Sequence, residues 1–186
     1  MMKIIVFFLT VSLIFIGSLL QGDEAVKKSR KDGKHLEINT AIADEIEKKF
    51  NLDCCGVRAG GVDGLNIIGL SFYAKGVLSV DESRHQMLEL INYYMDRLNS
   101  FEELEPYSLT FPFELNNIRM SLYYRDNEDN LVYYPKVGVC TFLEGKILYR
   151  FNDKENPYQY KKRIQETYEE AVEKVNKQNS QSEDFE

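Results

Sequence analysis

The hydrophobic pattern along this chain changes character several times. Lys3 stands before a charge-free apolar run from Ile4 to Leu20, and charge returns at Asp23. As a helix the run would span roughly 26 Å, a little less than the roughly 30 Å hydrocarbon core of a bilayer. It therefore reads as a long signal peptide or a short signal anchor over residues 1–22. The basic start and apolar middle of a secretory signal are present, but no small-x-small cleavage site follows. Lys27, Lys28, Arg30, Lys31 and Lys34 outweigh Lys3, so a retained segment would favour a cytoplasmic body by the positive-inside rule. Residues 23–34 are polar, lack apolar periodicity and read as a tether.

From residue 35 the pattern becomes that of a folded domain, expected to extend to residue 175. Ile38, Ala41, Ile42, Ile46 and Phe50 recur at helical spacing and predict a first amphipathic helix ending near Asn51. Glycines 56, 60, 61 and 64 surround short apolar pieces before Ile68, Leu70 and Phe72 alternate, which predicts a hairpin with a glycine-rich loop. Ser79-Val80-Asp81-Glu82 forms a capping box, and Met87, Ile91, Tyr94, Met95, Leu98 and Phe101 make the buried stripe of the helix that follows.

A proline-containing segment leads to Ile118, Met120, Leu122 and Tyr124, which alternate as a strand. The polar turn 126–130, one or two strands within Leu131–Leu143, and Ile147, Tyr149 and Phe151 then predict a meander. Asn156-Pro157 fits a helix start, with Tyr160, Ile164, Tyr168, Ala171, Val172 and Val175 as its apolar stripe. Residues 176–186 read as a disordered acidic tail. The expected architecture is α+β, an antiparallel sheet of hairpin plus meander packed against about three helices on one face, preceded by the N-terminal hydrophobic leader.

Composition narrows the function. The 186 residues carry 23 basic and 30 acidic side chains, a net charge of −7, which argues against non-specific nucleic-acid binding. Three cysteines, Cys54, Cys55 and Cys140, leave two readings: free thiols, or a disulfide from Cys54 or Cys55 to Cys140 in an oxidising compartment.

Candidate chemistry is sparse. The glycine-rich stretch 56–64 follows a helix and precedes a strand, the reverse of a phosphate loop, and it lacks Gly-Lys-Ser/Thr. Two histidines and no CxxC give no zinc pattern. The acidic turn lacks the length and closing glutamate of a calcium loop. No catalytic, cofactor or metal residue is therefore assigned. Strand alternation sends one tyrosine of each adjacent pair away from the helices, so an outward strip of Tyr123, Tyr133 and Tyr149 with Arg119 and Arg150 is the candidate binding surface. It would take a protein, peptide or glycan. The sequence thus predicts an exported, non-enzymatic binding or envelope-interaction module, associated with a membrane through residues 4–20 if the leader stays uncleaved. The alternative is a small exported hydrolase with His85 as base and a cysteine or carboxylate partner.

Overall fold

A computed structural model describes residues 33–61, 64–156 and 158–183. The leader, and the tether as far as residue 32, lie outside them. The order is α1 (Lys34–Phe50), β1 (Leu52–Gly60), β2 (Ile67–Lys75), α2 (Val80–Asn99), β3 (Ile118–Arg125), β4 (Val139–Leu143), β5 (Lys146–Asn152), β6 (Tyr160–Thr167) and α3 (Tyr168–Glu183), with two short 3-10 turns between α2 and β3. The fold is α+β, as the pattern predicts.

All six strands form one sheet in sequential order. β1 and β2 make the expected hairpin, and β3 to β6 make an antiparallel meander. The two halves meet differently from the antiparallel expectation: β2 and β3 run parallel, Ile68 beside Ile118 and Lys75 beside Arg125. The reason lies in the connection. A 20-residue helix, roughly 30 Å long, returns the chain to the end of the sheet where β2 began, which is what a parallel pair requires. The Ser79–Glu82 capping box that starts this helix is present, with reciprocal hydrogen bonds.

Directly opposed residues share a face, so the register assigns every strand side chain. One face holds Ile68, Leu70, Phe72, Ile118, Met120, Leu122, Cys140, Phe142, Ile147 and Tyr149, all nearly or completely buried. They join Ile42 and Ile46 of α1, Met87, Ile91 and Leu98 of α2, and Ala171 of α3 in one core. Asn39 fastens α1 to the sheet: its amide nitrogen donates to the carbonyls of Arg58 (3.1 Å) and Gly69 (3.3 Å), and its oxygen accepts from Tyr94 (2.7 Å).

Two further sequence expectations need correction. Residues 160–167 are not the start of the last helix but an edge strand paired along β5, and the helix begins at Tyr168. The four-residue spacing of Tyr160, Ile164 and Tyr168 satisfies a helix locally, but pairing with β5 takes Tyr160 and Ile164 as strand and leaves Tyr168 to open the helix. The helix continues to Glu183, so most of the supposed tail is helical. Within 131–143, where one or two strands are expected, Val139–Leu143 is the one strand, in keeping with that expectation. Among the described residues, no helix is long and apolar enough to cross a membrane.

Candidate binding face

The sheet face opposite the helices carries the other alternate residues, and its chemistry is distinctive. The register places Arg58, Arg119, Arg125, Arg150 and Arg163 there, with Lys75 and Lys146. Asp53, opposite Tyr73, is the one carboxylate that a strand contributes to this face among the described residues. Lys75 is matched by Asp129 from the turn after β3, at 2.5 Å. None of the five arginines has a carboxylate within ion-pair distance among the described residues. An acidic protein thus concentrates unneutralised cations on one side of its sheet.

Tyrosines are interleaved with them. The Tyr73 and Tyr123 rings lie 6.0 Å apart, and the Arg125 guanidinium sits 5.1 Å from the Tyr73 ring. At the other side of the sheet, Arg150 and Arg163 oppose each other directly, with guanidinium carbons 5.6 and 5.4 Å from the Tyr160 ring. Arg150 also donates from Nη1 to Thr141 Oγ1 at 3.1 Å. In the middle, Arg119 lies beside Gly69, where a Cβ would come within 2.4 Å of the Arg119 carbonyl oxygen. The Arg119 Nε is buried and has no hydrogen-bond partner.

The predicted strip is therefore partly assembled. Tyr123, Arg119 and Arg150 do share the open face. Tyr149 does not: it is fully buried on the core face, its hydroxyl donating to Glu166. Its alternation with Ile147 and Phe151 already assigns it to their side. Tyr133 lies in the loop between β3 and β4, touching the sheet through an isolated bridge to Asn152. Sequence reasoning missed Tyr73, Tyr160, Arg58, Arg125 and Arg163. Tyr73 and Arg125 carried a usable signal, since each follows a core residue, Phe72 and Tyr124, and so must point the other way.

The hydrolase arrangement is not assembled. His85 Nε2 lies 3.1 Å from Gln178 Oε1, a contact between α2 and α3. Cys140 is wholly buried, and burial, reinforced by the nearby Glu166 charge, pushes its thiol far above the ordinary range. Glu166 is buried too, but its oxygens are taken by Arg84, Tyr149 and Lys174. The cysteines are all free. A bond from Cys54 or Cys55 to Cys140 is ruled out by topology: β1 and β4 are three strands apart, roughly 14 Å, whereas a disulfide needs Cα atoms within about 7 Å.

Two other features are smaller. Leu115, Tyr168 and Val172, rimmed by Glu169, Glu173 and Asn176, line an open depression of about 390 Å³ against α3. Among the described residues, no group of three or more histidine, cysteine, aspartate or glutamate side chains is placed to hold a metal ion. Compared with protein-family models, curated proteins and solved structures, the chain matches none.

Proposed function

We propose that this chain is a non-enzymatic binding module that engages a partner macromolecule with the open face of its sheet. The observation that carries the reading is the set of five arginines without carboxylate partners, interleaved with Tyr73, Tyr123 and Tyr160, on the face opposite the helices. Arginine and tyrosine are the residues that binding surfaces enrich, because each combines a large contact area with directional polar groups. The body would be exported or held at a membrane, a reading supported by Lys3 and the apolar run Ile4–Leu20.

Site-specific photocrosslinking in the native host tests the binding face. The photoreactive residue p-benzoylphenylalanine in place of Tyr123 is expected to yield a discrete adduct, whereas the same residue in place of Glu89, exposed on α2, yields none. Adducts at position 89 alone would refute the assignment of the face. Intact mass measurement of the same material tests export by reporting whether the leader has been removed.

A further inference from the structure

The Arg150–Arg163 pair has an unusual feature for a free surface. Like charges directly opposed across two strands repel, and each such pair weakens a sheet unless a counter-charge joins them. Here the pair is kept together by the Tyr160 ring, 5.6 and 5.4 Å from the two guanidinium carbons, and by the Arg150 hydrogen bond to Thr141. No carboxylate of the described residues neutralises either member. Two strands away from Arg150, Arg119 holds a buried Nε with no partner. Both sites are therefore cationic and incompletely satisfied.

We infer that the partner on this face is a protein presenting an acidic segment, whose carboxylates enter between Arg150 and Arg163 and reach Arg119. This inference rests on the open face being the binding face. A guanidinium offers a planar fork of donors that matches a carboxylate with two parallel hydrogen bonds, and two forks around one aromatic ring form a clamp. Charge complementarity supplies the sign of the partner, since Asp53 is the face's own strand carboxylate. Its protein nature follows from what surrounds the arginines. Val139, Leu143 and Leu148 put an aliphatic strip between the two cationic regions, the mixture of Arg, Tyr and aliphatic side chains typical of protein interfaces. The strip has no Trp or Phe to insert among lipids, and its aliphatic side chains offer nothing to a phosphate backbone.

The test uses the full-length chain and fluorescein-labelled poly-L-glutamate, with binding followed by fluorescence anisotropy. Saturable binding that weakens with added salt is expected. The double variant Arg150→Gln/Arg163→Gln should weaken it at least tenfold, and Arg119→Gln several-fold. The pair Lys48→Gln/Lys177→Gln, which removes the same charge from α1 and α3, should leave it unchanged. Arg150→Lys/Arg163→Lys keeps the charge without the forks and should recover only part of the affinity. Circular dichroism confirms that each variant is folded. The inference is overturned if poly-L-glutamate does not bind, or if the helix-side variant loses as much as the sheet-side one. It is equally overturned if heparin or phosphatidylglycerol vesicles bind more tightly at matched charge, or if sedimentation shows the chain covering this face with a second copy. A Tyr123 crosslink together with failed poly-L-glutamate binding would reject the acidic partner while leaving the binding face intact.

Discussion

Arg84 of α2 and Glu166 of β6 form a buried ion pair, Nε to Oε1 at 2.7 Å, with each residue about 5% exposed or less. Tyr149 donates to the same oxygen, Lys174 of α3 donates to the other at 2.6 Å, and Asp81 takes the second side of the guanidinium. One carboxylate therefore ties β5, β6, α2 and α3 together. The β6 edge strand is otherwise strongly polar, with Lys161, Lys162, Arg163 and Gln165 exposed, and Ile164 is its lone aliphatic contact with the core. The network takes the place of the hydrophobic row that holds the inner strands.

Removing one member of a buried pair leaves the other charge uncompensated. Arg84→Met should therefore destabilise the domain by about 3–5 kcal/mol, read as a lowered midpoint in urea unfolding. Lys174→Met removes a half-exposed partner and should cost well under half as much. Equal losses would show that the network does not centre on Arg84.

Asn39 should be as sensitive although it carries no charge. Asn39→Ala removes a fully buried amide that serves two strand carbonyls and the Tyr94 hydroxyl. A loss of roughly 2–3 kcal/mol is expected, with Tyr94→Phe in the Asn39→Ala background restoring part of it by deleting the orphaned hydroxyl. Thermal or chemical denaturation of the two variants checks both statements.

Acid should weaken the fold in two steps. Burial lowers the pKa of His35, so the unfolded chain takes up that proton first. Its contribution is complete above the ordinary value of 6.5 and is lost as the pH falls through the depressed folded value. For Glu166, burial by itself would raise the pKa, but hydrogen bonds from Arg84, Lys174 and Tyr149 outweigh it and hold the carboxyl below 4.5. Its contribution is complete above 4.5 and drains below it. Urea midpoints measured from about pH 8 down to about pH 3 should therefore decline in two stages, and His35→Gln should abolish the upper one alone.

Thiol chemistry should separate the three cysteines. Cys55, the exposed residue at the β1 bulge, should alkylate first in the native protein; its thiol is pushed up by burial and by Cys54, so the reaction should accelerate with alkaline pH. Cys140 should react only on unfolding. Mass spectrometry after timed alkylation distinguishes them, and native labelling of Cys140 would contradict the packing of β4 against the helices.

Much of this fold was legible because its period is local. Ile38 to Ile46 and Met87 to Leu98 mark two helices by spacing alone, and Ser79 with Glu82 marks where the second begins. Alternation in Ile118, Met120, Leu122 and Tyr124 marks β3 and sends Tyr123 outward. The same rule applied to Ile147, Tyr149 and Phe151 places Tyr149 inward, against its place in the expected outward strip. By contrast, Tyr160, Ile164 and Tyr168 fit a helix as well as an edge strand. Local spacing cannot choose between them, because the choice depends on hydrogen bonds to β5.

The class of the domain, the elements with a clear period and the buried side of β2, β3 and β5 all follow from interactions within a few residues, and so can be read along the chain. The tertiary structure alone decided that β2 and β3 run parallel, that Arg84 meets Glu166, and that arginines from β1, β3, β5 and β6 share one open face. Those outcomes depend on strand order and register between segments far apart in the chain, 82 positions for Arg84 and Glu166. No local pattern encodes a neighbour that distant; it is chosen when the whole core closes.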